Sequence, residues 1–465
     1  MTAEDVKFAF ASRVIPARYL TEDLAPIGGQ LKQRPEDFLV EEIPLYEPCG
    51  EGEHIYLFIE KRNLSTLHLV RLLARHFGVR PDAVGYAGLK DKYAVTRQML
   101  SVHVPGRKTE DFGPFEHRGA VILWLDRHTN KLRSGHLRGN RFSIRIRGVS
   151  PTAVLTARKG LDILARVGVP NRFAEQRFGS WNINHLIGRA IILGDHDEVV
   201  RLLLAPLDAQ VTTHTTMLDE AHEADEASDE PARSGLLSRE HFGRGDLNQA
   251  IESLPNSART ERRILATLIR TGSTKRAAAA IDRQERSYFI TAFQSAIFNV
   301  VLDVRLLDDA LATLQPGDVA WKHDTGAAFD VTDDIAADAE TRRRLDAIEI
   351  SPSGPMWGAA MKRASASTDH IEVASLHAAG FDPETLTARA ATCHPWLEGA
   401  RRALRIPLKD HDVEGGIDEH GAFVRCTFEL PRGAFATAVL REIMKPERCG
   451  SHDATPGHPR LGHRK

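Results

Sequence analysis

GYAGLKDKYAVTRQ, residues 85–98, is the stretch on which the reading of this chain turns. Gly85 and Gly88 stand close together, Lys90, Asp91 and Lys92 follow without a spacer, and apolar–polar alternation resumes straight after. A carboxylate set among ammonium groups is held ionised and can act as a nucleophile or a base. Gly88 would let a second backbone or a ligand approach closely. A charged tripeptide on a glycine turn is equally the pattern of a solvated surface turn, so the neighbouring segments have to decide between the two.

Upstream, IYLFIE at 55–60 is apolar and β-prone and predicts a buried strand. Ser65 or Thr66 can cap the helix that follows, with Leu69, Leu72, Leu73, His76 and Phe77 on one face and Gly78 as its stop. Downstream, FSIRIR at 142–147 alternates cleanly: Phe142, Ile144 and Ile146 share one face, and Ser143, Arg145 and Arg147 share the other. That predicts a strand with one basic face, opened by Asn140-Arg141-Phe142. A basic surface with an aromatic platform is how proteins hold an extruded base. Phe142 also fits a plain core position, and Asn140 after Gly139 also fits a turn.

Further along, 152–167 reads as a helix ended by Gly168 and Pro170. Residues 286–306 read as a core helix led by Phe289, Phe293, Ile297, Val300 and Val301. AFVRCTFEL at 422–430 reads as a strand that passes through Pro431 and Gly433 into a helix with Phe435, Val439, Leu440 and Ile443 at helical spacing. No internal repeat is visible.

The 465 residues are enough for two or three domains, and 42% hydrophobic with 27% charged residues is ordinary for a globular chain. No apolar run approaches the roughly 18 residues that a membrane span needs, and the N-terminus lacks the basic start and apolar core of a signal peptide, so a cytoplasmic protein is expected. Cys49, Cys393, Cys426 and Cys449 lie far apart, with no C-x-x-C pair to signal a zinc knuckle or a disulfide framework. His452, His458 and His463 in the tail have no metal-site spacing.

The net charge of −2 hides a segregation. DEAHEADEASDE at 219–230 carries seven acids and no Lys or Arg, and the rest of the chain is net positive. The stretch has no apolar stripe, and 217–235 is expected to form a mobile loop or insertion. RHTNKLRSGHLRGNRFSIRIR at 127–147 holds seven Lys or Arg and no acid, a candidate nucleic-acid contact.

Other chemistries fit poorly. There is no G-x-x-x-x-G-K-[ST] phosphate loop, no G-x-S-x-G elbow, no G-x-G-x-x-G after a strand, and no H-x-E with P-C-x-x-C of the zinc base deaminases.

GYAGLKDKYAVTRQ resembles the signature of the TruD family of tRNA pseudouridine synthases, A-G-x-K-D-K-x-A-x-T-x-Q, which holds that family's catalytic Asp. The resemblance extends in order along about 31–444. LKQRPEDFLVEE (31–42), GEHIYLFIEKRNLST, HLRGNRFSI (136–144), GVPNRFAEQRFG (168–179), SPSGPMWG (351–358), GARRALR (399–405) and LPRGAFATAVLREIM are each similar to family landmarks. Arg172-Phe173 departs from it, because the family usually has an aromatic pair there, and the acidic stretch matches no family motif.

The resemblance implies a tRNA-modifying isomerase that breaks the N1 glycosidic bond of a uridine, turns the base and rejoins it through C5, at position 13 in bacterial members. It implies no cofactor, no metal, no membrane, a tRNA partner and a monomer. The essential carboxylate would be Asp91, attacking C1′ or removing a proton from C2′. Phe142 would stack on the flipped base and Asn140 would position Asp91 or the base. Lys32 and Glu42 match active-site positions, and Arg138 or Lys90 would hold Asp91 ionised. The implied fold is an α+β pseudouridine-synthase core with a mixed, largely antiparallel sheet, formed by residues 1–170 and 395–465, with an α/β domain inserted at 171–394 and the RNA in the cleft between them. The rivals are a non-catalytic RNA-binding protein on the same scaffold and a base-excising glycosylase.

Overall fold

The computed structural model describes residues 18–206, 226–393 and 395–446. The chain divides into two compact units: Tyr19–Val169 with Ile406 onward, and Pro170–Arg405 with Arg18. The tail histidines and Cys449 lie outside the described residues, as does the first half of the acidic stretch.

The first unit is built on one eight-stranded sheet. Its strands are β1 (Phe38–Pro44), β2 (His54–Arg62), β3 (Val84–Tyr86), β4 (Val95–His103), β5 (Ala120–His128), β6 (Leu137–Arg147), β7 (Lys409–Asp418) and β8 (Gly421–Pro431). The order is β7-β8-β6-β1-β4-β2-β5, with β3 also on β4. Only the β1–β4 pair is parallel; every other pair in this sheet is antiparallel. A mixed, largely antiparallel sheet flanked by helices is the α+β architecture expected from the sequence.

Helix α1 (Thr66–His76) begins where Ser65 accepts the His68 N–H at 3.2 Å, and Gly78 turns the chain away at φ +64°. Its Leu69, Val70, Leu73 and Ala74 pack on Ile55, Leu57 and Ile59 of β2. Helices α2 (Val154–Val167) and α3 (Ala436–Met444) cover the other half of the same face. There Ile144, Ile146, Val424, Cys426 and Phe428 meet Leu161, Leu164, Val439, Leu440 and Ile443. Each such side chain contributes about 1.5–3 kcal/mol when taken from water. The strand and helix near the C-terminus thus serve as an interior strand of the sheet, second from its edge, and part of its cover.

In the second unit, the helix Arg283–Leu307 is capped by Asp282, whose carboxylate accepts the Glu285 N–H at 2.9 Å. Phe289, Phe293, Ile297, Val300 and Val301 are all buried, as their spacing predicts. Among the described residues this is the one helix long and apolar enough to cross a membrane, and 78% of its apolar window is buried inside the protein, the pattern of a core helix. A four-stranded antiparallel sheet, in the order Ala400–Ala403, Ile350–Met356, Val319–Lys322, Ala328–Asp330, packs near it.

The backbone of Glu226–Gly243 is helical, so the second part of the stretch expected as a mobile loop opens a helix. Arg172, the departure from the family pattern, is buried in an ion pair with Asp303. The neighbouring Phe173 exchanges two 3.0 Å hydrogen bonds with the Asn299 side chain. Arg172 therefore serves the interior of this unit.

Candidate active site

Asp91 lies in the loop between β3 and β4. Strand β3 pairs with the middle of β4 through Tyr86–Leu100 and Val84–Val102, while β1 pairs with its start through Leu39–Val95 and Val40–Thr96. The chain leaving β3 must therefore return alongside β1, and residues 87–94 make that return.

The sheet face beneath the loop follows from register. One row runs Lys61, Thr96, Val40, Phe142, Phe428, and in the next Ile59 is opposite Gln98 and Glu42 is opposite Asn140. Alternation puts all of these on one side.

Three ammonium groups converge here, each with its own acceptor. Lys32 Nζ donates to Asp91 Oδ2 at 2.8 Å. Lys61 Nζ donates to the backbone carbonyl of Asp91 at 2.8 Å. Lys90 Nζ donates to Glu42 Oε2 at 2.5 Å, and Glu42 Oε1 accepts the Met99 N–H at 3.2 Å. Burial raises the Glu42 carboxyl above its ordinary pKa, against the lowering effect of Lys90. The Lys90 N–H donates to Thr66 Oγ1, whose hydroxyl donates to Gln98 Oε1, each at 3.0 Å, tying the loop to the first turn of α1 and to β4.

The Asp91 carboxylate itself is open, its side chain 52% exposed. Lys32 reaches it from a left-handed backbone, φ +56°, and its ammonium group lies 4.4 Å from the centroid of the Phe38 ring. A lysine held in that conformation costs energy that surrounding contacts must offset, a pattern common at functional sites.

The site residues read from the sequence fall out as follows. Lys32, Glu42, Lys90, Asp91 and Asn140 come together on this face. The cation on the Asp91 carboxylate is Lys32, not Lys90 or Arg138. Lys90 is engaged by buried Glu42, and Arg138 exposes its side chain while its carbonyl accepts the Arg432 N–H at 3.2 Å. Gly139 lets β8 come close, since a Cβ there would lie 2.3 Å from the Leu430 carbonyl oxygen. At Gly88 an added Cβ would meet only Lys90 Nζ, at 3.4 Å, so close approach is the demand of Gly139 rather than Gly88.

Phe142 is 6% exposed, among Phe38, Val40 and Ile144, with its ring centroid 5.5 Å from that of Phe428. Its core role, the alternative left by its face-sharing with Ile144 and Ile146, is the one this packing serves. Asn140 Oδ1, Thr96 Oγ1 and Gln98 Nε2 are buried without a hydrogen-bond partner among the described residues.

The basic face of 142–147 is not a free cationic stripe. Arg147, 2% exposed, donates to both oxygens of Asp37 at 2.7 Å and to Asp418 at 2.8 and 2.9 Å. Arg145 lies 3.8 Å from Asp418, and Arg141 pairs with Glu429 at 2.6 Å. These acids come from distant segments, invisible to a local count of charge. Arg133 and Arg138 of the basic stretch are exposed.

Lys61, Thr66 and Gln98 were not singled out as site residues in the sequence. A signal was present: Ile55, Leu57 and Ile59 set an alternation whose next inward position is Lys61. Among the described residues no set of three His, Cys, Asp or Glu side chains is placed to hold a metal ion.

Known proteins share the sequence and fold of this chain along nearly all its length. The family profile described as "tRNA pseudouridine synthase D (TruD)" matches residues 15–443. The chain is similar to "tRNA pseudouridine synthase D" of Geobacter metallireducens, 43% identical over 93% of this chain and 98% of that protein. It is 34% identical to the protein of the same name from Anaeromyxobacter dehalogenans strain 2CP-1, over 94% of this chain and 98% of the relative. The crystal structure of the putative tRNA pseudouridine synthase D from Methanosarcina mazei superposes with a TM-score of 0.75 at 27% identity, covering 92% of this chain and 96% of that one. With the lysine-bound aspartate on its glycine loop and the match running nearly end to end, the chain belongs to the TruD family of tRNA pseudouridine synthases.

Proposed function

We propose that this enzyme, an isomerase of tRNA, converts uridine 13 to pseudouridine with Asp91 as the essential carboxylate. The observation that carries the reading is the open Asp91 carboxylate, paired with Lys32 at 2.8 Å and anchored through its own carbonyl by Lys61. The reaction breaks the N1–C1′ bond, turns the uracil and forms the C5–C1′ bond; C5 gives up its proton and the freed N1 takes one up, so no atom is gained or lost overall. Attack at C1′ and proton removal from C2′ both require the carboxylate ionised, which the Lys32 ammonium favours.

Asn140, with its buried and unpaired carbonyl oxygen, can take a donor from the base or from Asp91. Stacking by Phe142 would require it to turn a ring edge out of the core. Arg138, exposed near the start of β6 two residues before Asn140, is a cation for a phosphate. Tyr19–Val169 with Ile406 onward would be the catalytic domain and Pro170–Arg405 the insertion; the protein would act as a cytoplasmic monomer.

The test is product analysis. Purified protein incubated with an unmodified tRNA transcript should place pseudouridine at position 13, with the base still attached to the chain. Tight binding without product would identify an RNA-binding protein, and release of free uracil a glycosylase. Absence of the modification from tRNA of cells lacking the protein gives the same answer in vivo.

A further inference from the structure

Lys61 is 0% exposed. Lysines are almost never fully buried unless paired. Among the described residues no carboxylate oxygen lies within ion-pair distance of Lys61 Nζ, and its hydrogen bond goes to a backbone carbonyl, that of Asp91, at 2.8 Å. The strand could have carried a methionine or isoleucine here in continuation of Ile55, Leu57 and Ile59. A core needs no ammonium at this position.

We propose that Lys61 is a positioning residue for the isomerisation, fixing the Asp91 carbonyl from beneath so that the carboxylate is presented to the sugar with Lys32 on its other side. This rests on Asp91 being the essential carboxylate. The geometry separates three jobs among three lysines: Lys32 holds the carboxylate, Lys90 holds the loop to Glu42, and Lys61 holds the main chain of the reacting residue.

The charges facing Lys61 are those of the loop above it. Asp91 favours the ammonium form and Lys90 opposes it, while Glu42 is engaged by Lys90. The residues beside it on the sheet, Thr96, Gln98 and Ile59, are neutral, as is Thr66 of α1; Glu60 points to the opposite face, where it pairs with Arg97, and Arg62 alternates to that same side. Burial outweighs the attraction of Asp91 and pushes the Lys61 ammonium down to about 8. Lys61 is therefore ionised at neutral pH and becomes neutral in the mildly alkaline range.

The experiment compares wild type, Lys61→Met and Asp91→Asn in single-turnover reactions with saturating tRNA, alongside tRNA affinity and melting temperature. Lys61→Met, of similar length and without the buried charge, should melt within a few degrees of wild type and bind tRNA within about threefold. Its rate constant should fall by about a hundredfold or more, a loss in kcat and not in KM. A rate within threefold of wild type overturns the proposal. Should Lys61→Met fail to fold, Lys61→Leu takes its place in the same comparison, and a rate within threefold of wild type in the folded variant overturns the proposal. An active Lys61→Met beside an inactive Asp91→Asn removes this inference alone, whereas an active Asp91→Asn removes the parent reading as well.

Discussion

Lys90 gives its ammonium group to Glu42 at 2.5 Å, while its neighbour Asp91 takes its cation from Lys32, 59 residues upstream. Adjacent residues of one motif are thus sent to different tasks. Lys90 and Glu42 are both buried, and the pair clamps the loop to β1. Asp91 stays at the surface with a partner that is itself part exposed, so its carboxylate is open to solvent.

Asp91→Asn should abolish pseudouridine formation and leave tRNA affinity within a few fold. The amide fills the same space but can act neither as a nucleophile nor as a base. Filter binding and nucleoside analysis of the same preparation check both halves. Turnover within tenfold of wild type would remove Asp91 from the chemistry.

Lys32→Met should lower kcat by about 10- to 100-fold with little change in KM, because it withdraws the charge beside the reacting carboxylate. Steady-state kinetics at saturating tRNA distinguish this from a binding role. An effect confined to KM would make Lys32 an RNA contact.

Glu42→Ala should cost about 3–5 kcal/mol of stability, since it leaves the Lys90 ammonium buried without a counter-ion. Glu42→Leu combined with Lys90→Met should cost much less, and urea unfolding of the two variants makes the comparison. Burial raises the folded-state pKa of Glu42, so the stability this group contributes is full below its unfolded pKa and is lost as pH rises through the folded value. Lys90 lowers that folded value, so Lys90→Met should move the loss to higher pH.

Arg138→Ala should weaken tRNA binding a few fold and reduce the salt slope of the affinity by about one, the signature of a lost phosphate contact. Asp37→Ala should instead destabilise the protein by about 3–5 kcal/mol, because Arg147 would be left buried with only Asp418, and should leave the salt slope alone. Titrations at several salt concentrations, with melting curves, separate the two. A salt slope unchanged in Arg138→Ala would place the RNA elsewhere.

Truncation after residue 394 should give an insoluble or inactive product. It removes β7, β8 and α3, and strips the β6 edge of nine paired residues from Gly139 to Arg147. Truncation after residue 446 leaves every one of those elements in place and should be far milder. Light scattering and activity of the two fragments are the measurements.

Much of this was legible in the sequence where the signal is local. The Ser65 cap, the stop at Gly78, the alternation of 142–147 and the apolar spacing in α3 all rest on periods of two or 3.6 residues. The loop at 85–98 was visible for another reason: its motif lies in one run. What stayed hidden depends on distant partners. Arg147 looked solvent-facing because the acids that neutralise it, Asp37 and Asp418, are 110 and 271 residues away. Lys90 looked like the partner of Asp91 because adjacency is visible and the Glu42 contact is not. For Phe142 the local alternation with Ile144 and Ile146 already offered a core position beside the stacking one, while its contact with Phe428 was out of local sight. The helix from 226 lacked an apolar stripe, so composition favoured a loop there. Lys61 was the one omission with a local clue, a lysine at the inward beat of an apolar alternation.

The place of β8 between β7 and β6 sets an order of events during synthesis. When Val169 leaves the ribosome, β6 is complete but one flank has nothing to pair with, and the strand that will fill it has not been translated. The whole of Pro170–Arg405 comes first. At about 5–20 residues per second that interval lasts on the order of ten to fifty seconds. Through it the nascent chain carries an open sheet edge and the uncovered residues that later meet α3, and this is the window in which a chaperone would be engaged. Asp91, made early, waits for the C-terminus before it has a finished sheet beneath it.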